Sequence, residues 1–93
     1  MGRYEGEFRN GLKHGYGVQQ WTDGRKYAGE FANGLKHGYG EFWWPNLNCY
    51  RGPWQRGLKH GEGYLVHNKD GTQVAWKGRW AKGKRLEWLE QPS

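Results

Sequence analysis

The sequence contains no isoleucine, one serine and one cysteine. A lone cysteine, Cys49, makes no intramolecular disulfide, which excludes a stapled secreted scaffold and points to a reducing, cytoplasmic compartment. The serine is Ser93, Cys49 has no histidine near it in sequence, and no carboxylate pair, phosphate loop or metal motif is present. An enzyme and a bound cofactor are therefore not expected. Apolar runs such as Phe42-Trp43-Trp44 and Tyr64-Leu65-Val66 fall far short of a membrane span or a signal peptide. Met1-Gly2 resembles the start of a myristoylation signal, but Gly6 stands where Ser or Thr is wanted. Leu, Val and Phe supply 13 of 93 residues, a level that by itself would suggest disorder.

What is present opposes disorder. Seven Trp, six Tyr and three Phe accompany 17 Gly, and both sets recur at fixed spacing. Tyr4 to Gly17 reads YEGEFRNGLKHGYG and Tyr27 to Gly40 reads YAGEFANGLKHGYG, identical at 12 of 14 positions. Tyr50 to Gly63 reads YRGPWQRGLKHGEG, and a half repeat, WKGRWAKG, opens at Trp76 after an insertion around residues 67–71. The chain thus divides into repeats at 4–26, 27–49 and 50–75, a half repeat at 76–83, and a divergent end at 84–93.

Within a repeat the period is two. Tyr4, Gly6 and Phe8 share one side, while Arg3, Glu5, Glu7 and Arg9 share the other. Asn10-Gly11 and Asp23-Gly24 are turn dipeptides. Each repeat is predicted to be a β-hairpin, and an aromatic ring laid across a bare glycine on the next strand shields its backbone. The predicted fold is all-β: one curved, single-layer antiparallel meander of about seven or eight strands. Strands are predicted at 3–9, 15–22, 25–32, 38–44, 48–55, 61–67 and 73–81, and residues 84–91 should cap the last one. Pro53 would interrupt a central ladder unless it falls at a bulge or unpaired position.

The pattern Tyr-x-Gly-Glu-Phe-x-x-Gly-x-x-His-Gly-x-Gly resembles the MORN (membrane occupation and recognition nexus) repeat. The resemblance covers residues 4 to about 83 and recurs in register. It implies an extended single-layer sheet with an aromatic-lined groove, and a binding or scaffolding role of the kind found at junctional membranes, ciliary spokes and the cytoskeleton. Two features depart from it: apolar residues on the face opposite the rings, and Leu12, Leu35 and Leu58 where a polar loop residue is usual.

Four candidate surfaces follow. The first is the aromatic face, with Tyr4, Phe8, Tyr27, Phe31, Tyr50, Trp54, Trp76 and Trp80 from first strands and Trp21, Phe42, Trp44 and Leu65 from second strands. A single layer should leave many ring edges open to a peptide or helix of a protein partner. The second is a Leu-Lys-His rim, in which Leu12, Lys13, Leu35, Lys36, Leu58 and Lys59 could meet anionic phospholipid such as a phosphoinositide. The plainer reading has the leucines folded back and the lysines solvated. The third is the opposite face, where Tyr16, Val18, Tyr39, Trp43, Tyr64 and Val66, together with the uncovered first strand, suit a homodimer. The fourth is a basic end at Lys77, Arg79, Lys82, Lys84 and Arg85. Nucleic acid is not the expected ligand, because residues 27–49 are net −1 and no continuous phosphate track is visible.

Three histidines recur at His14, His37 and His60. They stand two strands apart, about 9.6 Å, whereas zinc ligands converge within about 2.1 Å of one ion. No metal site is expected. These rings should instead close each hairpin by a hydrogen bond, and His67 should lie at the surface.

Overall fold

The computed structural model describes residues 2–91. They form nine strands: β1 (Gly2–Arg9), β2 (Leu12–Trp21), β3 (Lys26–Ala32), β4 (Leu35–Trp43), β5 (Cys49–Gln55), β6 (Leu58–Lys59), β7 (Gly61–Lys69), β8 (Thr72–Ala81) and β9 (Lys84–Glu90). All belong to one open antiparallel meander, with the short β6 pairing β5 just ahead of β7. The all-β, single-layer expectation holds. The Cα envelope measures 45 × 27 × 16 Å, and since stacked sheets stand about 10 Å apart with a pleat far thinner than that, the thin dimension reflects bend and twist of one layer.

Register arranges the residue types in rows. Gly6, Gly17, Gly29, Gly40 and Gly52 oppose one another in turn, as do Gly63 and Gly78. The neighbouring row reads Tyr4, Gln19, Tyr27, Phe42, Tyr50, Leu65 and Trp76. Directly opposed residues share a face, so the rings of this row lie on one side. Tyr27 covers Gly40 so closely that an added Cβ would collide with the phenol. Its hydroxyl donates to the Glu30 carbonyl at 2.9 Å, and Tyr4 does the same to Glu7 at 2.8 Å.

Between Gly29 and Phe31 the register slips. Gly38 absorbs the slip at φ +64°, a left-handed conformation. The Glu30 carboxylate then accepts the Tyr39 N–H at 3.2 Å, and Glu7 accepts that of Tyr16 at 2.8 Å. Pro53 occupies the equivalent place in the third repeat. It sits where the ladder is interrupted between Arg51 and Trp54, and its carbonyl still accepts the His60 N–H at 3.1 Å. A strand residue's N–H and C=O point the same way, so the missing donor coincides with the gap. The proline is accommodated for the reason anticipated.

Three expectations need correction. Leu12-Lys13 and Leu35-Lys36 are not loop residues: both positions of Asn10-Gly11 and of Asn33-Gly34 are left-handed, so each hairpin turns in two residues and pairs at once, Arg9 with Leu12 and Ala32 with Leu35. β2 and β4 therefore begin three residues before the predicted 15 and 38. Residues 84–90 do more than cap, because they form β9, a full strand paired along β8. The His14 Nδ1, expected to close its hairpin by a hydrogen bond, is enclosed without a partner among the described residues. The insertion around residues 67–71 lengthens the β7–β8 hairpin to a turn at Asp70-Gly71, and His67 is exposed as expected.

Successive hairpin tips are joined. The turn-glycine N–H groups of Gly34, Gly57 and Gly83 donate to the carbonyls of Lys13, Lys36 and Lys59 at 2.8, 2.8 and 3.0 Å. Leu12, Leu35 and Leu58 lie beside those same three glycines.

Candidate functional site

The ring face carries the core. Tyr27, Phe31, Phe42, Tyr50, Trp54 and Trp80 are buried, and Tyr27 and Tyr50 are 0% exposed. A second layer does not cover them; the sheet bends around them and they cover one another. Tyr4 meets Phe31 edge-on at 5.3 Å, Tyr27 meets Trp54 at 5.4 Å and Tyr50 meets Trp80 at 5.0 Å. Each tyrosine thus bridges to the ring of the next repeat in the T-shaped geometry that aromatic pairs favour. Trp54 Nε1 donates to the Gly40 carbonyl at 3.1 Å. Burial keeps the Tyr27 and Tyr50 hydroxyls protonated well above the ordinary phenol range.

The expected contact residues therefore split into two groups. The buried set just named is structural and unavailable to a ligand. Tyr4, Trp21, Trp44, Leu65 and Trp88 are half-buried at its margin, and Trp76 is half-buried beside Trp88 at 5.2 Å. Phe8, at the β1 edge, is 62% exposed, with Tyr4 edge-on against it at 5.0 Å. Trp88 was not singled out by repeat logic, since Glu87 and Leu89 break the glycine pattern around it. Its distance from Gly83 matches that of Tyr16 from Gly11, which would put it on the opposite face; pairing with Gly78 across a shifted register brings it to the ring face instead, and the repeat carries no signal for that.

The lysines depart most from expectation. Lys13, Lys36 and Lys59 do not line a rim beside the leucines; each opposes a ring residue across its hairpin, Phe8, Phe31 and Trp54. Lys36 Nζ stands 5.4 to 5.7 Å from the ring centres of Trp54, Trp21, Phe42 and Tyr27. Lys59 lies over Trp44 and Tyr50, Lys13 over Tyr4, and Arg85 takes the matching place over Trp88 at 4.5 Å. Burial over the rings, then the charges of Arg25, Lys13 and Lys59, hold Lys36 below the ordinary lysine value. Burial does the same for Lys59. Leu12, Leu35 and Leu58 remain about half exposed along the tips.

Two clefts flank Lys36 on this face. One, of about 330 Å³, is lined by Lys13, Trp21, Phe31, Leu35 and Lys36; the other, of about 300 Å³, by Arg25, Lys36, Trp44, Trp54 and Lys59. A third opening of about 460 Å³ lies between Trp44, Leu65 and His67.

The opposite face holds the acids. Glu41 pairs with Arg51 at 3.0 Å, Arg79 bridges Glu62 and Glu87, and Lys77 lies 3.7 Å from Glu62. Tyr16, Tyr39 and Tyr64 are exposed there. Trp43 is partly covered, with Lys26 Nζ 5.2 Å from one of its ring centres and Cys49 opposite it. Cys49 and Val66 are buried beside it, and burial pushes the Cys49 thiol up. Among the described residues no group of three or more His, Cys, Asp or Glu side chains could hold a metal ion, and the basic end is partly neutralised by the pairs at Lys77 and Arg79.

No curated protein matches the chain. Against known families, the MORN repeat matches three consecutive stretches, residues 4–24, 27–49 and 50–72. Those stretches coincide with the three hairpins whose tyrosines cover the glycine row, and the chain is a member of the MORN repeat family, a repeat module of interaction.

Proposed function

We propose that the chain binds a segment of a partner protein along its ring face. The supporting observation is that half-buried Trp21, Trp44, Trp76 and Trp88 border a self-contained aromatic core, leaving indole edges open beside clefts of ligand size. The choice of test follows from burial. Trp54 and Trp80 belong to the core, so removing them would confound loss of binding with loss of fold. Trp44→Ala combined with Trp76→Ala spares that core. Capture of a partner from cell extract should fall while the far-UV β signal persists. Undiminished capture by the folded double variant would place the site elsewhere.

The row of half-exposed Leu12, Leu35 and Leu58 favours a second reading, peripheral attachment to anionic phospholipid. Co-sedimentation with phosphoinositide vesicles, abolished by replacing the three leucines with serine, would support it. Failure to sediment at low salt would remove it.

A further inference from the structure

We infer that the ring face is built for an extended acidic segment presenting a carboxylate at every third residue; this rests on the groove reading above. Charge segregation carries the first half. Among the described residues the ion pairs lie on the opposite face or, for Asp23–Arg25, in a turn. Lys13, Lys36, Lys59 and Arg85 form the charged row of the ring face, and no carboxylate lies within ion-pair distance of them among those residues. The charges that act on Lys36 repel it: they are those of Arg25, Lys13 and Lys59. A row of cations over rings, with Lys36 and Lys59 desolvated and the paired carboxylates on the other side of the sheet or, for Asp23, in a turn, is half of an electrostatic match.

Spacing carries the second half. Lys13, Lys36 and Lys59 occupy the same place in successive repeats, two strands apart, about 9.6 Å. A polyproline II segment advances about 9.3 Å per three-residue turn. A β-strand repeats a face about every 6.7 Å, and a helix returns to one only after about 10.5 Å at seven residues. Polyproline II is therefore the conformer whose period stays in step over several lysines, and it is the form that aromatic-lined grooves recognise elsewhere. Carboxylates at every third position would meet the ammonium groups, while the residues between them enter the clefts on either side of Lys36.

The test is fluorescence anisotropy with three labelled dodecapeptides: (Glu-Pro-Leu)4, (Gln-Pro-Leu)4, and a permuted peptide with the composition of the first but its glutamates in one block. The (Glu-Pro-Leu)4 peptide should bind at least about tenfold more tightly than either control, and raised salt should weaken it. Lys36→Met keeps the stem over the rings and removes the charge; it should erase most of that advantage while the far-UV β signal stays unchanged. Equal binding of the glutamate and glutamine peptides would overturn the charge half and leave the groove reading standing. Equal binding of the permuted peptide would overturn the spacing. No binding of (Glu-Pro-Leu)4, with or without binding to anionic vesicles, would overturn the inference. Partner capture through Trp44 and Trp76 would still decide the groove reading separately.

Discussion

Two titrating side-chain types pull stability in opposite directions at high pH. Lys36 and Lys59 have values below the ordinary 10.5 when folded, so the unfolded chain binds more protons as pH approaches that point, and stability rises there. Tyr27 and Tyr50 have raised values, so above pH 10 the unfolded phenols ionise while the folded ones do not, and stability falls. Urea midpoints measured from pH 7 upward should therefore rise slightly and then drop steeply past pH 10. Tyr27→Phe should cost about 1 kcal/mol at neutral pH through its lost hydrogen bond to Glu30. The same variant should flatten the alkaline drop. A drop of unchanged size would mean that Tyr27 ionises freely in the folded chain.

The hairpin tip is the unit that sequence reading resolved least well. Each turn needs two left-handed residues, which Asn33-Gly34 supplies cheaply; Arg56 and Lys82 adopt φ of 51° and 52° without that advantage. Arg56→Asn should stabilise the chain by about 0.5–1 kcal/mol, visible as a higher urea midpoint. Strand period, repeat length and the tyrosine-over-glycine pairing were all legible, because alternation and spacing alone specify them. The early start of β2 and β4 was not, since Leu12 and Lys13 break the alternation just before the slip at Gly15. Nor was the inward set of the lysines. The alternation that puts Phe8 on the ring side also puts Lys13 there once a two-residue turn is granted, but charge argued for solvent. Glu7 and Glu30 looked like solvated face residues, and their capture of the Tyr16 and Tyr39 N–H groups depends on a slip that leaves no mark except His-Gly.

Across the molecule, cooperativity should be graded. β1 has one neighbour and an exposed Phe8, whereas β4 and β5 are flanked on both sides and contribute Phe42, Tyr50 and Trp54 to the buried cluster. Native-state hydrogen exchange should be slowest in β4 and β5 and fastest in β1, with the Gly34 and Gly57 amides protected by their bonds to the preceding repeat. Uniform protection across all strands would show that the repeats open only together. The segregation of charge between the two faces has another outcome. A net charge of +6 unevenly divided between the two sides of a single-layer sheet gives a dipole along the sheet normal, so the molecule should meet any negatively charged support with one side first. On a sulfonate cation-exchange column the adsorbed footprint, not the net charge, sets retention. Lys36→Gln and Lys26→Gln remove the same charge from opposite faces, and Lys36→Gln should elute clearly earlier than Lys26→Gln. Coincident elution would mean that the plate tumbles freely at the resin and adsorbs without a preferred side.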